Sequence, residues 1–208
     1  MSIPIIAEVK TKSPFGFQSP HGWGTLFAWA DQVGDAISIH TDPDWGGSFE
    51  MVALARRLTQ KPIIAKGWHR SDLDIVKAKQ AGADFVLVVG RVPDPSLRQH
   101  CWIEPRNLAE LAELPKDVIA VWNARNLSDG SPKTETWAEA RKIWDGPLCQ
   151  ASYIQKASDI FADANYALIG EHLPELMAEQ KRRLFYALGK PVPMPPPLDI
   201  PASDARHL

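Results

Sequence analysis

Short apolar runs alternate with longer amphipathic ones along this chain. Eight runs have the length and residue types of buried strands: IPIIAEV (3–9), AISIH (36–40), PIIAK (62–66), FVLVV (85–89), CWIE (101–104), VIAVW (118–122), PLCQA (147–151) and YALI (166–169). Between them, apolar residues recur at three- and four-residue spacing, the period of a helix with one buried face. SFEMVALARRL opens at Ser48, and SDLDIVKAKQAG runs from Ser71 to Gly82; each begins on a hydroxyl suited to an N-cap. NLAELAEL, TETWAEARKIW and PELMAEQKRRLFYAL continue the pattern. Strands alternating with helices build a parallel sheet, and eight of them predict closure into a (β/α)8 barrel; the competing arrangement is an open, doubly wound sheet. One crossover is short. Only GRVPDPSLRQH separates Val89 from Cys101, so the fourth helix is expected to be one or two turns long, unless the fifth strand is misplaced.

The same pattern places polar residues consistently at the carboxyl ends of the strands: Glu8 and Lys10, Thr41 and Asp42, Lys66, Glu104, Asn123 and Arg125, Ser152, and Gly170. That end of a (β/α)8 barrel carries the chemistry in enzymes of this architecture. Glu8 and Lys10 are two residues apart and share a face of their strand, as do Asn123 and Arg125. Pointing such charges inward is costly unless they are paired or used. Two lysines, two glutamates and an arginine around one rim therefore point to a catalytic mouth.

Composition narrows the function classes. The 208 residues are 45% apolar and 23% charged, enough for one sizeable core, with barrel expected over 1–188 and a Pro-rich tail, GKPVPMPPPLDIPASDARHL, over 189–208. A net charge of -2 gives no electrostatic case for nucleic acid or an acidic membrane. No apolar run approaches the roughly 20 residues of a membrane span. Met1 leads straight into the first strand, so no secretory signal and a cytoplasmic location are expected. Cys101 and Cys149 lie far apart without metal-ligand spacing and read as free thiols. With neither a metal cluster nor a nucleotide loop, no cofactor is expected. The partner is a small molecule; oligomeric state is left open.

IAEVKTKSP, TDPDWGGSFE, PIIAKGWHRSDLDIVKAKQAGADFVLVV, WNARNL and ALIGEHL, in that order over about residues 3 to 175, resemble the indole-3-glycerol phosphate synthase family of tryptophan biosynthesis. The resemblance implies a TIM barrel, a carboxy-lyase, and a substrate, 1-(2-carboxyphenylamino)-1-deoxyribulose 5-phosphate, whose ring closure, decarboxylation and dehydration give the indole. It casts Lys66 as the acid, its pKa expected to be lowered by burial and by the cationic field of Lys10 and Arg125. Glu104 maps to the base, with a helix-start carboxylate ahead of NLAEL as the plainer reading. Lys10 maps to a substrate-contacting lysine and second acid, while Glu8 and Asn123 map to positioning residues, Glu8 offsetting Lys10. Arg125 maps to a binder of the substrate carboxylate, beside Ser152, and Trp68 to a wall stacked on the anthranilate ring. Ser13, Tyr153, Gly170 and Glu171 map to the phosphate site, where backbone N–H groups bind.

Three departures from the family pattern stand out. ASYI replaces E-S-G-I, so Ala151 stands for a glutamate and Tyr153 for a glycine whose bare backbone approaches phosphate. KGW replaces K-D-F, and an N-terminal extension of the kind that covers the mouth is not expected. A shifted substrate and a ligand-binding barrel without turnover are the alternatives these departures raise.

Overall fold

In the computed structural model, which describes residues 3–178, eight parallel strands pair in sequence order and the eighth returns to the first. The strands are β1 (Ile5–Val9), β2 (Ala36–His40), β3 (Ile63–Lys66), β4 (Phe85–Val89), β5 (Cys101–Glu104), β6 (Ile119–Asn123), β7 (Leu148–Ala151) and β8 (Tyr166–Ile169). Closure is made by β8, whose Ala167, Leu168 and Ile169 pair with Ile5, Ile6 and Ala7. The open-sheet alternative is thereby excluded. Among the described residues no helix is long and apolar enough to cross a membrane.

Parity along each strand decides which side chains enter the barrel. Ala7, Val9, Ile37 and Ile39 face outward and pack against the surrounding helices. Their neighbours Ile6, Ile64, Leu87, Trp102, Val121 and Cys149 form a separate cluster that fills the interior. A second outer cluster gathers Trp122, Trp137, Trp144 and Leu148 on the β5–β7 side.

The crossover helices are α1 (Trp23–Val33), α2 (Phe49–Leu58), α3 (Asp72–Gln80), α4 (Pro95–Arg98), α5 (Leu108–Ala112) and α6 (Trp137–Ile143). The expected hydroxyl caps are present: Ser48 accepts from Met51 N–H, and Ser71 forms a reciprocal capping box with Asp74. The short fourth crossover is resolved by α4, a single turn that Asp94 caps through Ser96 N–H, and the fifth strand stays where the sequence put it. Helix α1 was not anticipated. Its start at Gly22 has no side-chain cap, its first turn no acid and its last turn no base, so only the burial of Leu26, Phe27 and Ala30 marks it. Of PELMAEQKRRLFYAL (174–188), residues 174–178 are helical, in a helix that begins one residue earlier; the rest, with the Pro-rich segment 189–208, lies outside the described residues.

Trp144 is fully buried and donates Nε1–H to the Pro147 carbonyl at 2.9 Å. Trp144→Ala is expected to cost about 3–5 kcal/mol, read as a lowered urea midpoint with an unchanged slope. A loss under about 1 kcal/mol would contradict this packing.

Candidate active site

At the carboxyl end of the barrel the inward positions turn from apolar to polar, and they line a cavity of about 980 Å³ including its open mouth. Glu8, Lys10, Lys66, Trp68, Glu104, Asn123, Arg125, Ser152, Tyr153, Gly170 and Glu171 all contribute to that lining. The structure therefore brings together every sequence-predicted site residue except Ser13. The Ser13 hydroxyl instead accepts from Phe15 and Phe17 N–H inside the β1–α1 loop.

Glu8 is the hub. Its Oε1 accepts from Lys66 Nζ at 2.6 Å and from His40 Nε2 at 2.9 Å. Burial alone would raise the Glu8 pKa, but Lys66 and His40, with weaker help from Lys10, hold it well below the carboxylate range. Glu8 thus pairs directly with Lys66, while its charge still supports the Lys10 ammonium against burial, so the expected offset holds without a direct contact. Lys10 pairs with Glu171, in the loop after the neighbouring strand β8.

The expected lowering of the Lys66 pKa is also overturned. Burial pushes it down, but the carboxylates of Glu8 and Glu104 outweigh burial and leave it raised, so Lys66 remains an ammonium. Glu104 is 2% exposed and accepts from Asn123 Nδ2 at 2.8 Å. It does not start helix α5, whose cap is Asn107. Burial raises the Glu104 pKa against the pull of Lys66 and Asn123, toward the range of a general base. Asn123 also accepts through Oδ1 from Ser152 Oγ at 2.6 Å and from Arg125 N–H at 2.9 Å, tying β6 to β7.

Gly170 ends β8 against Glu8; a Cβ there would lie 1.9 Å from Glu8 Oε2, so only glycine fits. Ser152 and Tyr153 both hold left-handed backbone, at φ 67° and 55°. The Tyr153 side chain swings outward, donating its hydroxyl to the Gly130 carbonyl at 3.2 Å, and its ring lies 5.3 Å from the Arg125 guanidinium carbon. Trp68 is half-buried at the rim, under Arg70 at 5.3 Å.

His40 escaped the sequence reading, which stopped at Thr41 and Asp42. Those two hold the loop: Thr41 Oγ1 contacts His69 Nε2 at 3.0 Å, and Asp42 caps the turn Pro43–Trp45 through Asp44 N–H. The signal was strand parity. In AISIH the small and polar residues Ala36, Ser38 and His40 share one face, opposite Ile37 and Ile39. His40 is 3% exposed, stacks on Trp45 at 5.2 Å, and is held toward the neutral form by burial. With Nε2–H donated to Glu8, Nδ1 is left buried without a protein partner. Cys149, inside the barrel, has its thiol pKa pushed up by burial and stays protonated.

A sequence profile described as indole-3-glycerol phosphate synthase matches residues 1–113, a stretch that carries Glu8, Lys10, Lys66 and Glu104. Curated proteins described by that same name are similar to the chain. The one from Bacillus pumilus is 28% identical over 86% of this chain and 82% of its own length. That from Campylobacter fetus is 36% identical over 45% of this chain and 38% of its own, and that from Staphylococcus haemolyticus 34% identical over 61% and 50%. The chain thus spans half or less of the latter two. Among solved structures, a 3-hexulose-6-phosphate synthase superposes with a TM-score of 0.57 at 16% identity, covering 85% of this chain and 99% of that one, a likeness of fold.

The Glu8 pairing makes stability depend on pH. Its folded pKa lies below the ordinary 4.5, so the pairing stabilises fully above that value and the stabilisation is lost as pH falls through the folded one. Glu8→Gln is expected to cost about 3–5 kcal/mol at neutral pH. Urea unfolding of both proteins at stepwise lower pH should show the gap closing in acid. A gap independent of pH would contradict the pairing.

Proposed function

The chain belongs to the indole-3-glycerol phosphate synthase family, and from that premise we propose that it catalyses the family's reaction. Its substrate would be 1-(2-carboxyphenylamino)-1-deoxyribulose 5-phosphate, and its products indole-3-glycerol phosphate, carbon dioxide and water. The observation that carries this reading is a buried ammonium and a buried carboxylate of raised pKa, Lys66 and Glu104, lining one cavity.

Each group has a task its surroundings suit. Lys66, kept protonated by Glu8, donates to the ketone oxygen as the anilino ring carbon attacks. Once reprotonated from solvent through the open mouth, it donates again to the departing hydroxyl. Because Glu8 also fixes its position at 2.6 Å, the ammonium meets the oxygen where negative charge develops. Loss of carbon dioxide restores the aromatic ring. Glu104, oriented by Asn123, takes the proton whose removal accompanies dehydration. The acid and base are thereby separate groups with opposed environments, the usual sign of divided roles. Lys10 and Arg125 serve the anionic ends of the substrate, and Trp68 offers a ring face to the anthranilate.

Ala151 and Tyr153 support a second reading, a shifted substrate or binding without turnover, since no carboxylate stands at the end of β7 and a tyrosine ring covers Arg125. Fluorescence of the indole product separates the two. Lys66→Ala is expected to reduce kcat roughly a hundredfold or more while the protein still melts cooperatively. A purified chain that binds a reduced substrate analogue by calorimetry yet forms no indole would favour the second reading. Tyr153→Gly should uncover the phosphate end and lower KM several-fold; an unchanged KM would place the phosphate elsewhere.

A further inference from the structure

The mouth of the barrel holds an anion of its own. Glu171, in the loop after β8, accepts from Arg125 Nη1 at 2.9 Å and from Nη2 at 3.2 Å, one oxygen to each. The oxygen facing Nη1 also accepts from Lys10 Nζ. A carboxylate gripping a guanidinium fork with both oxygens and an ammonium with one is the geometry of a bound anionic ligand. Among the described residues Glu171 is the ion-pair partner of both cations. The remaining surroundings of Lys10 Nζ include the rings of Trp45 and Phe17, at 4.8 Å and 5.2 Å from their centroids. Arg125 Nε is buried with no protein partner, so Glu171 does not exhaust the fork.

We propose that Glu171 is a displaceable internal counter-ion: a phosphate monoester takes over Lys10 and Arg125 by turning the Glu171 side chain out to solvent, and Glu171 thereby sets the affinity and selectivity of that end for dianions. The proposal rests on reading this cavity as a phosphate-ester site. Among the groups in direct contact, two cations against one carboxylate leave a single net positive charge, with Glu8 the further carboxylate acting on Lys10 through space. Withdrawing Glu171 leaves two, the match for a phosphate dianion. Lys10 is 6% exposed, and a buried ammonium without an anion is costly, so exchange of one anion for another is the low-cost path. A monoanion gains little by such an exchange. A phosphate brings a second charge and a third oxygen, which the free Arg125 Nε is placed to bind.

The movement required is small. The Glu171 side chain is already 19% exposed, and rotation about its own bonds suffices. The loop backbone is anchored meanwhile by the bond from Leu173 N–H to the Gly170 carbonyl at 2.9 Å.

A purely structural ion pair predicts the opposite sign, because removing Glu171 would loosen both cations and weaken anion binding. Calorimetric titration of the full chain with inorganic phosphate, at low salt and neutral pH, decides between them. Glu171→Gln is expected to tighten phosphate binding about tenfold or more and to raise affinity for acetate by a larger factor, narrowing the preference for phosphate. Glu171→Asp, one methylene shorter, should move phosphate affinity the same way by less, and takes the place of Glu171→Gln if that variant fails to melt cooperatively. Unchanged or weaker phosphate binding in the folded variant overturns the proposal. The family reaction is judged separately. A wild-type chain that forms no indole, while Glu171→Gln still gains phosphate affinity, counts against the reaction alone; turnover with no such gain counts against the counter-ion alone.

Discussion

One carboxylate organises the mouth of this barrel. Glu8 is buried at the inner wall of the cavity, and its oxygen Oε1 receives both the Lys66 ammonium and the His40 ring. Its other oxygen abuts the backbone at Gly170, so the first and last strands meet at this group as well as through their ladder. Because Glu8 is buried, each of these contacts is stronger than it would be at a surface, and leaving any of them unmade would be correspondingly expensive. The charge state and position of the Lys66 ammonium follow from Glu8, while His40 stays toward the neutral form because burial outweighs the pull of that same carboxylate.

Around that hub the mouth divides into two ends of different character. On one side Lys66 and Glu104, the latter held by Asn123, form a buried ammonium–carboxylate set whose pKa values are moved by burial and by each other. On the other, Lys10, Arg125 and Glu171 form a compact ionic cluster reachable from solvent. The side of the chain matched by the family profile supplies Lys66 and Glu104. Arg125, Tyr153 and Glu171 come from beyond it, and there the departures Ala151 and Tyr153 also fall. Tyr153 shows how such a change is accommodated: it keeps the left-handed backbone that suits glycine and sends its hydroxyl to Gly130 while its ring stays beside Arg125, at some cost in backbone strain.

Periodicity and caps alone located all eight strands to within two residues and most crossover helices, because apolar alternation and hydroxyl caps are local consequences of burial and helix geometry. Helix α1 was hidden because it lacks those local signals and is held by packing of Leu26 and Phe27 on β1 and β2. The residue types at the strand ends were likewise enough to gather Glu8, Lys10, Lys66, Glu104, Asn123 and Arg125 into one site. His40 obeyed the same parity and was passed over for the more conspicuous polar pair that follows it.

Which charge pairs with which could not be read from the chain. Glu8 and Lys10 are neighbours along β1, yet their direct partners come from β3 and from the loop after β8, because the barrel's curvature brings distant strands closer than adjacent inward side chains. The sign of the Lys66 pKa shift turned on that choice of partner. Sequence determined the inventory of groups and the face each one occupies, since both are set by a residue's type and its parity within a strand. Only closure of the ring decided the distances between them, and electrostatic energy depends on distance.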